Sequence, residues 1–201
     1  MKAFFERSPI LPHDFNLYNK DRIEIIKAAY KYLPMMVKHK LITNKNIKID
    51  THVGSSWAGM LPLAVPGSVH LGMFVTYIQL MGTEEHKAKY LEKSLTHEIV
   101  GCYAQTEIGH GSDVRNLETL ATFDEKTQEW ILDSPTLSAA KYWPGEMSFL
   151  ANYAIILAQA VTNGKSQGVF PFLVEIRDKN YDCLPGIEAG DIGPKIGMHA
   201  K

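Results

Sequence analysis

Gly101-Cys102-Tyr103-Ala104-Gln105-Thr106-Glu107-Ile108-Gly109-His110-Gly111-Ser112-Asp113 is the stretch from which the rest of the chain is read. Its first part alternates, with Val100, Cys102 and Ala104 on one side and Gly101, Tyr103 and Gln105 on the other, which is the period of a buried strand. Its second part is a polar loop with two glycines separated by one residue. A strand that empties into such a loop can bring its backbone close to a ligand. Glycine has no Cβ to hold it off, and Thr106, Ser112 and free N–H groups offer hydrogen bonds. Farther along, Lys141-Tyr142-Trp143-Pro144-Gly145 adds flat aromatic surface and a fixed turn. An apolar wall beside a few placed donors is the general form of a cofactor pocket. Spacing alone is equally satisfied by a common turn and by a core aromatic at a loop.

Upstream of this stretch the pattern is helical. The first twenty residues, with Pro9 and Pro12, read as an extended arm. Asp21 caps a helix whose apolar positions are Ile23, Ile26, Tyr30, Leu33 and Val37, with Pro34 expected to bend or end it. Residues 43–50 are a polar connector. Ser68 starts a buried helix through Leu71, Val75, Ile78 and Leu80, stopped by Gly82. Thr83 caps the next helix, which carries Glu84 and Glu85 in its first turn and Lys89 and Lys93 near its end, the order that complements the helix dipole.

Downstream the period becomes that of strands. Residues 117–123 and 129–133 flank Asp124-Glu125-Lys126-Thr127-Gln128 in a hairpin pattern. Residues 153–161 read as a strand buried on both faces, and 169–176 as another with Pro171 at an edge or bulge. Helices followed by strands predict an α+β chain with a helical domain at 1–98 and a β domain at 99–201.

Composition narrows the function classes. The chain has 201 residues, 45% of them hydrophobic, enough for a sizeable core. Its 21 basic and 22 acidic residues leave a net charge of -1, so no overall field draws nucleic acid or an anionic membrane. An anionic substrate must be gripped by local groups. Two cysteines and eight scattered histidines show no metal-ligand spacing, and no metal site is expected. Glu6 and Arg7 interrupt any secretory pattern, and the most apolar segment, 65–81, is broken by Pro66, Gly67, His70 and Gly72, which predicts a soluble chain. His199-Ala200-Lys201 is not a peroxisomal address of the Ser-Lys-Leu type.

Four stretches, taken in order, carry a likeness to a known family. They are His70-Leu71-Gly72-Met73-Phe74; Tyr103-Ala104-Gln105-Thr106-Glu107 with Gly109-His110-Gly111; 132–136 leading into Lys141-Tyr142-Trp143-Pro144-Gly145; and Leu184-Pro185-Gly186 with Gly190-Asp191-Ile192-Gly193-Pro194-Lys195. In these the chain resembles the acyl-CoA oxidases, flavin enzymes of peroxisomal fatty acid breakdown. The resemblance implies an N-terminal helical domain, an antiparallel β-barrel-like middle domain, and a C-terminal helical part that this chain is expected to lack. It implies FAD as cofactor, α,β-dehydrogenation of fatty acyl-CoA to trans-2-enoyl-CoA, reduction of O2 to H2O2, a peroxisomal location and a homodimer. The family's catalytic base lies in the C-terminal part, so no catalytic residue is named here and the isolated chain is expected to be inactive.

By the same resemblance, Thr106 matches a threonine that hydrogen-bonds the flavin, Gly145 a glycine beside it, and Trp143 an aromatic near its ring. Gly111 and Ser112 match positions on the CoA side of the substrate. Plainer readings stay open: Thr106 as the cap of a strand end, Gly145 as a turn glycine, Gly111 and Ser112 as loop residues. His110 and Glu107 are set aside as acid or base. The sequence departs from the family after Gly145, where Glu146 stands in place of small residues; its carboxylate either repels an anionic cofactor or faces solvent. Two other functional readings stand: an acyl-CoA dehydrogenase, favoured by Ser112-Asp113-Val114, and a non-catalytic regulatory fragment that pairs with a full-length oxidase.

Overall fold

A computed structural model describes residues 19–38 and 66–195. The expectations for the N-terminal arm and the connector at 43–50 lie outside these residues. Helix α1 (Arg22–Lys38) begins as expected, with the Asp21 carboxylate accepting the Glu24 N–H at 2.9 Å. Its buried stripe is Ile25, Ile26, Ala29 and Tyr32, whereas Ile23 is 54% exposed. The buried face is turned by part of a turn from the expected one, because Ile26 fits a helical period with either Ile23 or Ile25 and its neighbours, and only packing selects between the two stripes. Pro34 lies inside the helix without ending it; the side chains of Leu33 and Val37 are not described.

Helix α2 opens with a π-helical turn at His70–Val75 and continues as α-helix at Thr76–Met81. Gly82 closes it by donating to the Ile78 carbonyl at 3.0 Å. His70, Phe74, Val75 and Ile78 are buried, while Leu80, two residues past Ile78 and so across the helix, is 71% exposed, contrary to the expectation for that position. Helix α3 runs through Glu84–His86, a π-helical turn at Lys87–Leu91, and Glu92–Leu95. Thr83 caps it as expected: its hydroxyl accepts the His86 N–H at 3.2 Å, and the His86 ring accepts the Thr83 N–H.

The strands are β1 (Gly101–Ala104), β2 (Leu120–Asp124), β3 (Glu129–Asp133), β4 (Tyr153–Thr162) and β5 (Lys165–Glu175). The hairpin forms where it was read: β2 and β3 are antiparallel with Asp124 opposite Glu129, and the turn closes through Gln128 N–H to Asp124 O at 2.8 Å. The expected antiparallel barrel is corrected by the pairing of β4. That strand is antiparallel to β5 along one edge, but along the other it is parallel to β1 at residues 153–156 and to β2 at residues 159–161. The result is a mixed sheet in the order β1-β4-β2-β3, with β5 on the far edge of β4 and no closure into a barrel. Both parallel pairings require crossovers between strands distant in sequence, which a strand-by-strand reading cannot see. Pro171 sits in β5, which pairs only with β4, so its missing N–H costs the sheet nothing.

The core is split by β4, as its apolar run predicted. On one face Ile155 and Leu157 pack with Phe74, Val75, Ile78, Ile99 and Leu117, joining the helices to the sheet. On the other, Ala154 packs with Cys102, Ala151 and Ile176. The seam between α2 and β1 is close: a Cβ on Gly101 would lie 2.1–2.2 Å from atoms of the Phe74 ring, so only glycine fits there. Beside it, the Gly101 N–H donates to His70 Nδ1 at 2.9 Å, which leaves Nε2 to carry the proton and donate to the Ser94 carbonyl at 2.9 Å. Burial, with His97 against the ring, lowers the His70 pKa to about 3 and keeps the imidazole neutral.

Candidate functional site

The exit of β1 and the aromatic corner meet. Tyr142 N–H donates to the Thr106 carbonyl at 2.9 Å, Ile108 N–H donates to the Ala140 carbonyl at 3.0 Å, and Glu107 stands opposite Lys141 in the antiparallel bridge between them. Two motifs 35 positions apart, as counted from Thr106 to Lys141, therefore form one structure.

Its rear is a buried ionic cluster. Glu107 is 2% exposed, and its carboxylate takes hydrogen bonds from the Thr119 hydroxyl at 2.6 Å, the Glu118 N–H at 2.7 Å, the Thr119 N–H at 2.9 Å and the Lys141 ammonium at 2.9 Å. Burial pushes this carboxyl up, and the four donors together outweigh that and hold it below its ordinary value. Burial lowers Lys141, with Glu107 pulling the other way. The two groups face each other as an ion pair at 2.9 Å. Sequence reading missed this pair; the one available signal was a lysine standing between Ala140 and two aromatic residues in an otherwise apolar stretch.

The front is open. Trp143 is 65% exposed and stacks on Tyr142 with ring centroids 5.7 Å apart. Its φ of 51° is the left-handed region, a conformation that costs a bulky residue of order 1–3 kcal/mol and that clusters at functional sites. Beside it, neither the N–H nor the hydroxyl of Thr106 meets a partner among the described residues, so the residue is held only through its carbonyl and its neighbours. Gly145 lies at the next turn, where an added Cβ would come within 2.7 Å of Val69 Cγ2. Any larger residue there would have to displace the Val69 side chain, whatever else the position does.

The glycine loop turns back through paired bonds between Glu107 and His110. His110 Nε2 lies 2.9 Å from Glu118 Oε1, and Glu118 is held down to about 2 by hydrogen bonds from Thr136, Ser138 and His110. Gly111 and Ser112 are exposed on the outward limb, with open space around the Gly111 Cα. Glu146 does not face solvent: it is 1% exposed at φ 76°, and its carbonyl accepts the N–H groups of Leu150 and Ala151. The Cys102 thiol is pushed up to about 12 by burial and is chemically quiet. Among the described residues no cluster of His, Cys, Asp or Glu is arranged to hold a metal, and no helix is long and apolar enough to cross a membrane.

A mixed sheet fronted by helices, with a strand exit against an exposed aromatic corner, defines an α+β module with one open candidate site. Comparison with known proteins places it more narrowly. Residues 1–100 match the family described as Acyl-coenzyme A oxidase N-terminal, and residues 102–201 match Acyl-CoA dehydrogenase, middle domain. The chain is 48% identical over 133 residues to the putative peroxisomal acyl-coenzyme A oxidase 1.2 of Arabidopsis thaliana, covering 66% of this chain and 20% of that protein. It is 44% identical over 146 residues to acyl-coenzyme A oxidase 1 of Drosophila melanogaster, covering 72% and 22%. The structure of acyl-CoA oxidase-2 from Caenorhabditis elegans, bound with FAD, ascaroside-CoA and ATP, superposes with a TM-score of 0.84 at 33% identity over 99% of this chain and 30% of that one. Acyl-CoA oxidase 1 of Arabidopsis thaliana does so with a TM-score of 0.82 at 34% identity, covering 96% and 29%. The chain belongs to the acyl-CoA oxidase family. It spans about a fifth of the length of the curated relatives it matches.

Proposed function

We propose that the corner of Thr106, Tyr142 and Trp143 is one wall of an FAD site in an acyl-CoA oxidase, and that this chain carries the cofactor-facing part of that enzyme. The observation that supports it most directly is the Tyr142-to-Thr106 bond, which sets two unpartnered donors of Thr106 beside stacked, exposed aromatic rings. A flat ring with acceptor atoms along one edge is the ligand such a surface suits. Bound FAD supplies the two-electron acceptor for α,β-dehydrogenation of a fatty acyl-CoA to its trans-2-enoyl form, with O2 as the final acceptor and H2O2 as product.

The chain's own residues orient and shield. Thr106 donates to the ring edge, Trp143 covers it from water, and Gly145 lets the backbone of the corner lie against α2. Gly111 and Ser112, exposed on the loop, take the CoA portion of the substrate. No described carboxylate near the corner is poised as a base: Glu107 is fully engaged by four donors. In this reading the α proton is removed by a group other than the described residues of the corner, and the domains at 1–98 and 99–201 act as a cofactor platform in a peroxisomal, homodimeric enzyme.

The test is spectroscopic. Purified chain mixed with FAD should develop a perturbed visible flavin band that survives gel filtration, and should release no peroxide with palmitoyl-CoA. A flavin that elutes entirely free overturns the site. Sustained peroxide release would show instead that a base resides within the chain, and dye reduction without oxygen uptake would mark a dehydrogenase.

A further inference from the structure

The sheet has a gap, and a lysine fills it. Along one edge of β4, pairing with β1 ends at Ile156 and pairing with β2 begins at Gln159. Tyr153 and Gln159 both send their N–H groups to that edge, to the carbonyls of Val100 and Thr119. Residues two apart in a strand share an edge, so the Leu157 carbonyl also points there, into the interval that neither strand covers. The Lys141 ammonium reaches it at 2.6 Å. Its other two protons go to Glu107 Oε1 at 2.9 Å and to the Gln105 carbonyl at 3.2 Å, which uses all three donors of the group.

The bond to Gln105 has a directional consequence. The Gln105 carbonyl and the Thr106 N–H belong to one planar trans peptide, in which they point opposite ways. Anchoring the oxygen toward Lys141 thus aims the Thr106 N–H away from the sheet interior. The next peptide is anchored too, by Tyr142 N–H on the Thr106 carbonyl. With a side chain only 9% exposed against a fully buried Glu107, Lys141 is not a solvated surface cation.

We infer that Lys141, with Glu107 as its counter-ion, is a positioning residue for the cofactor corner: it clamps the Gln105–Thr106 peptide so that the two free donors of Thr106 hold a fixed geometry against the Tyr142–Trp143 wall. The cofactor half of this inference rests on the flavin reading above. Removing one partner of a buried pair strands the other, so the two residues act as one unit.

The test compares Lys141→Met, which keeps the stem and deletes the charge, with Glu107→Gln and the double variant in the intact chain. Three quantities are read: FAD affinity, the visible band shape of bound FAD, and hydrogen exchange at the Tyr142 amide, with the Ala158 amide of β4 as an internal reference. Lys141→Met should weaken FAD binding and speed Tyr142 exchange by about tenfold each, alter the band shape, and leave Ala158 unchanged. Glu107→Gln should act in the same direction by about threefold, and the double variant should be no worse than Lys141→Met. Wild-type values for all three in Lys141→Met overturn the inference and leave the flavin reading standing. A wild-type chain that takes up no FAD overturns the flavin reading, and Tyr142 exchange then decides the clamp by itself. Should Lys141→Met fail to fold, an unperturbed Glu107→Gln overturns the inference.

Discussion

The two ends of β1 are built on opposite rules. At its start, Gly101 is closed against Phe74 and His70, with its N–H and both nitrogens of the His70 ring engaged. Just past its other end, Thr106 has two donors without a partner among the described residues, Tyr142 and Trp143 lie outward, and Trp143 holds a costly backbone angle. The first end follows from packing and satisfies itself. The second leaves a surface open, in line with the cofactor site proposed above, and is backed by the buried Lys141–Glu107 pair. Stability and binding are therefore separable along a strand of four residues.

If that separation is real, substitutions at the seam should unfold the protein and substitutions at the corner should not. The largest effect belongs to Phe74→Ala, which empties a fully buried ring position and should cost about 4 kcal/mol in a denaturant titration. A loss under about 1 kcal/mol would show that the seam is not the anchor described here.

His70→Leu comes next, at about 2 kcal/mol, because the buried Gly101 N–H loses its acceptor. This variant also sharpens the comparison through pH. The folded His70 titrates at about 3 against 6.5 for the free group, so between those values the unfolded chain binds a proton that the folded chain refuses. Stability is full above about 6.5 and declines as pH falls toward 3. Glu118 adds its own loss only below the ordinary carboxylate value of 4.5, as its folded carboxylate titrates down to about 2. The interval from pH 6.5 to 4.5 therefore isolates the histidines. His97, also lowered by burial, contributes in the same sense. Equilibrium unfolding across that interval should give a clear slope in the wild type and a flatter one in His70→Leu.

The smallest expected change in stability is at the corner. Thr106→Val removes a hydroxyl with no partner among the described residues, so unfolding should shift by no more than about 0.5 kcal/mol. FAD affinity, by contrast, should drop about tenfold. A variant that unfolds readily yet binds FAD normally would reverse the roles given to the two ends.

Much of this is legible in the sequence. The Asp21 and Thr83 caps, the 124–128 turn, the doubly buried β4 and the edge position of Pro171 all follow from signals spanning a few residues. The Thr106 and Trp143 motifs are also visible there, though not that the Thr106 carbonyl accepts the N–H of Tyr142, the neighbour of Trp143. What escaped was whatever depends on partners far along the chain: the stripe that α1 buries, the parallel placement of β1 and β2 on β4, the burial of Glu146, and the engagement of Lys141 and Glu107.

The amino-acid sequence by itself determined the kind and order of the elements, where they start and stop, and which family they compose, since hydrophobic period, capping residues and turn chemistry act over short range. Tertiary structure alone decided that two strands share one edge of β4 and leave between them an interval into which a lysine reaches. Strand partners are chosen by long-range contacts that leave no local period, and a charged side chain becomes internal only once those contacts have enclosed it.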